Sequence, residues 1–296
     1  MKQLDCLFIG NSTEDVMMRV SRLPDSDERV VAGDFVRCCG GVSSNAAVAF
    51  HTLGGTAGVI TTVGDDGTGR FIAQNFQKHG MEYLNLIPIP EAHSSISVIL
   101  VEEDGKRSIV NFGGNIMRLT FEMLDPEVLK SAGMVHLGLL APGFMLDVAR
   151  FCKREGIGVS VDGGNLSREV TDELLPCCDL FIPDQATARK TLGLDPEDAC
   201  RYYVEHGAAF ACVTAGAAGS FAYDGRTLYH AGALDIPIVD TTGAGDNFHG
   251  AFLYARGQGW DIQKCLWFSN VFASLTCRGM GGQSAVPTLE TVLEYL

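Results

Sequence analysis

Short apolar runs and longer stretches of helical spacing take turns along this 296-residue chain. Residues 4–9 form a short, mostly apolar run, and "AGVITTVGDD" (57–66) is a second run with a turn behind it. Both read as buried strands. Small and apolar residues from Asn45 to Phe50 suit a tightly packed helix ended by Gly54-Gly55, and 71–79 reads as an amphipathic helix stopped by Gly80. From Met134 onward "MVHLGLL", "IGVSVD", "DLFIP" and "AFACVTAG" are short and bounded by turns, with helical patterns over 144–155, 186–192 and 199–206 between them. Strand and helix in alternation predict an α/β fold with a parallel sheet covered on both faces.

Two stretches break this rhythm. "SSISVILVEEDGKRSIVNF" (94–112) has two strand-like runs around Glu103-Asp104-Gly105-Lys106, a hairpin signal. Residues 25–37 are polar and mixed, with β-branched positions at intervals. We expect a single domain over 1–296 in which about 13–38 and 94–112 assemble a small sheet that covers the site as a lid. Exposed edges of such a sheet invite pairing, so a homodimer through the lid is expected.

Composition narrows the partners. The net charge is −14, so the basic footprint that nucleic acid requires is missing, and an anionic membrane surface would repel the chain. A nucleotide ligand stays open, because backbone N–H groups and a metal ion can hold it. Ten cysteines include the adjacent pairs Cys38-Cys39 and Cys177-Cys178 but no C-x-x-C, which speaks against a zinc site or a thioredoxin-like motif. With no signal peptide and no apolar stretch of membrane-spanning length, a cytoplasmic protein with free thiols is expected.

The chemistry concentrates in "DTTGAGDNFHGAF" (240–252). Phe248, Ala251, Phe252 and Ala255 have helical spacing, so a helix begins near Asp246. Its first N–H groups are unpaired and Gly243, Ala244 and Gly245 let a ligand come close, which makes a main-chain anion hole. Asp246 would repel an anion there. It either caps the helix, or it serves a second reactant: a carboxylate beside the hole can take the proton of an alcohol that attacks a phosphoryl group held by the N–H groups.

This segment resembles the C-terminal signature of the PfkB, or ribokinase-like, carbohydrate kinases, and "GGVSSNAAVAFHTLGG" with Gly64 beyond it resembles their N-terminal signature. The likeness runs on to "GGQSAVP" (281–287). It implies a ribokinase-like fold with a mostly parallel sheet, flanking helices and a β-lid. It implies ATP and Mg²⁺ as cofactors, a small sugar as substrate, and a primary hydroxyl as acceptor. Asp246 would be the base and 243–245 the anion hole. Asp15, Gly40, Gly41 and Asn45 would bind the sugar, with Asn111 and Phe112 as lid contacts. Thr214, Gly216 and Gly219 would form the nucleotide loop and Asn270 would line the adenine pocket. Asp240 and Thr242 would lie near a monovalent-cation loop, with K⁺ as the ion.

Some of these positions have simpler uses. Asp15 could be a solvated turn acid, Asn45 a helix cap, 214–219 a hairpin turn, and Asn270 a solvated helix residue. His249 reads as a packed helix residue. The sequence also departs from the family's Pro-Asn-x-x-Glu motif: "IPDQATARKTLG" (182–193) has Asp184, Gln185 and Thr187 there, so the usual glutamate is missing. Asp184 or Asp162, in "VDGG", could supply the charge for Mg²⁺. Some likeness to the sulfofructose kinase branch is present, but Glu28 and "HLGLLAP" (136–142) offer none of its cationic residues. The rivals are a nucleoside kinase of the same fold, which would need a stacking surface from Phe35 and Phe112, and a non-catalytic sugar-binding homologue. A dinucleotide-binding oxidoreductase ranks below both, since no G-x-G-x-x-G follows the first strand.

Overall fold

A computed structural model describes residues 3–102, 107–115 and 117–296. The expected hairpin turn at 103–106 lies outside the described residues. The strands are β1 (Leu4–Gly10), β2 (Thr13–Val20), β3 (Asp34–Gly40), β4 (Ala57–Val63), β5 (Tyr83–Pro88), β6 (Ser95–Glu102), β7 (Arg107–Phe112), β8 (Ala132–Gly138), β9 (Gly158–Asp162), β10 (Leu180–Ile182), β11 (Ala211–Thr214), β12 (Ser220–Tyr223) and β13 (Leu228–Ala231). The helices are α1 (Val42–Thr52), α2 (Gly67–Lys78), α3 (Pro126–Lys130), α4 (Pro142–Glu155), α5 (Arg168–Leu174), α6 (Gln185–Leu192), α7 (Pro196–Glu205), α8 (Ala244–Gly257), α9 (Ile262–Thr276) and α10 (Leu289–Leu293).

Nine strands form one sheet in the order β13-β12-β11-β10-β9-β8-β1-β4-β5. From β5 to β11 neighbours run parallel, and β12 and β13 close the edge as antiparallel strands. Ala46, Phe50, Phe248, Phe252, Phe268 and Phe272 belong to one buried cluster, and Leu129, Phe144, Val148, Leu174, Ala188 and Tyr203 to a second. The expected parallel sheet with both faces covered is therefore present. The chain leaves β1 toward β4 on one side and toward β8 on the other. Such a reversal opens a crevice at the carboxyl ends of the strands.

Observed helices begin earlier than their apolar spacing suggests. α2 starts at Gly67 because Asp66 accepts from Gly69 N at 2.7 Å, and α6 starts at Gln185 because Asp184 accepts from Thr187 N at 2.7 Å. A capping side chain sets the first turn, and apolar periodicity does not register it.

The second sheet has the order β3-β2-β6-β7. Its strands come from the two segments assigned to a lid, but 21–33 between β2 and β3 forms no strand. Opposed residues Cys38, Asp15, Ser97 and Asn111 make one row across this sheet, and Val36, Met17, Ile99 and Ile109 another on the same face. Met17 and Ile99 are buried with Met280, so this face is turned toward the 240–284 region. Eight of the ten cysteines are buried.

Candidate active site

α8 carries the site, and its position is set by close packing against α1. A side chain on Gly250 would collide with the Ala46 carbonyl, so the two helices approach nearly backbone to backbone. Asn45 on α1 is thereby brought to Asp246 on α8, and its Nδ2 donates to Asp246 Oδ2 at 2.8 Å. The helix begins at Ala244, two residues earlier than the apolar spacing suggested. Gly243 is the N-cap, with φ 75° and no side-chain cap bond. Asp246 is thus the third residue of the helix and does not cap it. Asn45 likewise lies inside α1, whose N-cap is Gly41.

Asp246 is half-buried, and its pKa is pushed up to about 6. Burial is the largest cause, opposed by the Asn45 hydrogen bond, with the nearby Asp162 and Asp15 carboxylates adding to the rise. Asp162, at the end of β9, is pushed up to about 6 by burial and by Asp184, although it accepts Gly164 N at 2.8 Å. His249 is 3% exposed, and its Nε2 lies 3.8 Å from Asp162 Oδ2. Burial lowers its pKa to about 4, so the ring is neutral at pH 7. The sequence reading of His249 as packing understated it: it also lines the acidic cavity described next.

Two cavities meet at the start of α8. One of about 190 Å³ is lined by Asp162, Asp184, Asn165, Asp246 and His249 among others. The other, of about 440 Å³, is walled by Gly216, Gly219, Ile236, Phe248, Asn270 and Ala273 among others. Thr214 and Gly245 line both. The turn at 214–219 does join β11 to β12, and it is also a wall of the larger cavity. Asn270 is 5% exposed rather than solvated, and its Nδ2 donates to Ala231 O at 2.8 Å and Gly232 O at 3.1 Å.

Asp15 lies in the buried row of the second sheet, 4% exposed. It accepts from Thr13 Oγ1 at 2.7 Å, and burial raises its pKa. A side chain on Gly40 would strike its carboxylate. The solvated-turn alternative for Asp15 is therefore set aside. Asn111 spends its amide on Ser97 Oγ (3.1 Å) and Ile96 O (3.4 Å), so it braces β6. Asp240 is buried and accepts three hydrogen bonds: Oδ1 from Thr242 N (3.0 Å) and Oγ1 (2.8 Å), and Oδ2 from Gly281 N (2.8 Å). Arg107 of β7 donates to Thr241 Oγ1 at 2.8 Å and stands 3.7 Å from Asp240 Oδ1. Sequence reasoning missed Arg107, Asn247 and Gln283. Gln283 had a signal as part of "GGQSAVP", and Asn247 as part of "DTTGAGDNFHGAF".

Magnesium takes oxygen ligands and keeps several waters. Asp162 and Asp184 offer oxygens to the small cavity, but Asp184 also accepts from Thr187 N and Oγ1. Among the described residues no group of three or more His, Cys, Asp or Glu forms a metal cage. The residues fit an ion held largely by water and by the oxygens of its own ligand. Also among the described residues, no helix is long and apolar enough to cross a membrane.

A glycine-capped helix start beside a carboxylate with a raised pKa, at the seam of an apolar cavity and an acidic one, suits phosphoryl transfer to a small molecule. The comparisons with known proteins agree. The pfkB family carbohydrate kinase profile matches residues 4–289, and the chain belongs to that family. Ribokinase of Lactococcus lactis is 30% identical over 287 residues, covering 96% of this chain and 94% of that protein. Deoxyribokinase of Salmonella typhi is 28% identical over 302 residues, covering 99% of both. The structure of Arabidopsis thaliana ribokinase complexed with ribose and ATP superposes with a TM-score of 0.87 at 25% identity, covering 98% of both chains. The protein is an ATP-dependent carbohydrate kinase with a ribokinase-like fold.

Proposed function

We propose that the enzyme transfers the γ-phosphoryl group of ATP to a primary hydroxyl of a small sugar or sugar derivative, with Asp246 as general base. The observation that carries this is the junction of the two cavities at Thr214 and Gly245, with Asp246 beside it. In this reading the larger cavity takes the nucleotide, with Thr214, Gly216, Gly219 and Asn270 in its wall. The N–H groups of 243, 245 and 246 would face the transferring group and stabilise its charge, whereas the expected contribution of Ala244 N is spent on Thr241 O at 3.2 Å. Asp246 takes the hydroxyl proton, and a pKa near 6 keeps it ionised at pH 7 while leaving it basic enough for the task. Bound Mg²⁺ would neutralise phosphate charge, and Asp162 and Asp184 would hold its waters.

Asp15, Gly40, Gly41 and Asn45 form the sugar side of the site, under the second sheet. Closure of that sheet would exclude water and limit ATP hydrolysis. Asn111 acts there through Ser97 rather than on the sugar directly. A monovalent cation at 240–242 would share Asp240 with Arg107, so K⁺ would add little to the charge balance. Phe35, Val110 and Phe112 are more than half exposed on the second sheet and would suit a homodimer through the lid.

The test is ADP release from Mg-ATP across pentoses, hexoses, their phosphates, sugar acids and nucleosides, with Asp246→Asn in parallel. One sugar class should raise turnover, and the variant should lose that gain. Stimulation by nucleosides alone would replace the sugar reading with a nucleoside kinase.

A further inference from the structure

Asn45 meets Asp246 at the end of a longer chain of amides. Asn75 on α2 donates Nδ2 to Gln283 Oε1 at 2.7 Å. Gln283 donates Nε2 to Asn45 Oδ1 at 2.9 Å, and Asn45 donates Nδ2 to Asp246 Oδ2 at 2.8 Å. A side-chain amide is a donor at one end and an acceptor at the other. Joined head to tail, each amide dictates how the next must point. An ionised carboxylate only accepts, so Asp246 requires the nitrogen of Asn45. The Asn45 oxygen then requires a donor, which is Gln283, whose own oxygen requires the nitrogen of Asn75.

The space around Asn45 is shaped for this arrangement. A Cβ on Gly282 would sit 2.6 Å from Asn45 Nδ2, and one on Gly243 would sit 2.8 Å from the same atom. Asn247 donates to Gly243 O at 2.9 Å and to Gly282 O at 2.7 Å, which holds the two loops at the spacing Asn45 needs. Asn45 is 2% exposed, so its amide cannot turn toward bulk water instead.

We propose that Gln283 and Asn75 are positioning residues: their amides hold Asn45 with its nitrogen toward Asp246, committing Oδ2 and leaving Oδ1 to take the proton. The inference rests on Asp246 as the proton acceptor. Its consequence is that reversing one amide reverses them all. Asn75→Asp offers Gln283 only acceptors, so Gln283 turns its nitrogen outward and its oxygen toward Asn45. Asn45 then turns its own oxygen toward Asp246. Asn75→Ala removes the demand and leaves the rest free to stay.

The experiment uses the full chain, with Asn75→Asp and Asn75→Ala, Gln283→Glu and Gln283→Met, and Gln74→Glu as a charge control on the exposed side of α2. Turnover is read with Mg-ATP and D-ribose as the sugar probe. Independently of any sugar, the Asn45 side-chain amide is followed by ¹⁵N–¹H NMR, assigned by its loss in Asn45→Ser. The two acidic variants should lose about tenfold or more in kcat, with KM for ATP within about twofold, because a charge-assisted hydrogen bond is replaced by repulsion. The Ala and Met variants should lose less, and Gln74→Glu nothing. The Asn45 resonance should move on Asp246→Asn in the wild type and stop responding once Asn75→Asp is present. Ala and Met variants as impaired as the acidic ones, or an Asn45 resonance that still responds in Asn75→Asp, would overturn the proposal. If Asp246→Asn keeps full turnover, the base assignment fails, and the resonance still decides the orientation of Asn45.

Discussion

Replacing Asp246 with asparagine should destroy activity while making the protein more stable, and the gain should depend on pH in a defined direction. The carboxylate is held in a desolvated place, so its pKa rises from 3.8 to about 6. A raised acid destabilises the folded state at pH values above its folded pKa, and this penalty disappears as pH falls to the unfolded value. At roughly 1.4 kcal/mol per pH unit the full penalty is about 3 kcal/mol, and residual solvent contact brings it to about 2 kcal/mol. Asparagine has the same shape, can still accept from Asn45, and carries no charge to desolvate. The assay is urea unfolding of both proteins at pH 7.5, 5.5 and 4.5. Asp246→Asn should be more stable by about 2 kcal/mol at pH 7.5, with the difference shrinking through the window from about 6 to about 4. Turnover should fall by about 10²–10⁴-fold, the range a general base supplies. A variant no more stable than wild type at pH 7.5, or a difference that ignores pH, would refute the account of a desolvated carboxylate held for catalysis.

Three further outcomes are expected. The kcat/KM of the wild type should drop about tenfold per unit below pH 6, since Asp246 must be ionised to accept a proton, and an acid limb near 4 would mean an ordinary exposed carboxylate. Asp162→Asn and Asp184→Asn should each raise the Mg²⁺ concentration needed for half-maximal rate severalfold, and unchanged Mg²⁺ titrations in both would remove them from the metal site. Gly282→Ala should cost at least tenfold in kcat, because its Cβ would lie 2.6 Å from Asn45 Nδ2, and near-normal turnover would show that the loop yields easily.

What could be read from the sequence was local or periodic. Alternating strand and helix patterns imply the parallel sheet, because each period reports which face is buried. Gly243-Ala-Gly-Asp246 implied an anion hole because three small residues and a helix start are neighbours in the chain. The β6–β7 hairpin was recognisable for the same reason, whereas the polar, mixed stretch 25–37 marked little more than the start of β3. Helix starts at Gly67 and Gln185 were not, since capping by Asp66 and Asp184 leaves no mark on apolar spacing.

Tertiary structure alone decided the surroundings of Asp246. Whether that carboxylate capped its helix or faced a partner depended on Asn45, 201 residues away, and on Gly250 letting α8 close onto α1. The same holds for the Asp162 carboxylate beside His249, and for Gln283 reaching Asn45 across 238 residues. Residue types state which hydrogen bonds and charges are available. Only the folded chain brings donors to acceptors, removes water from a carboxylate, and thereby sets its pKa and its direction.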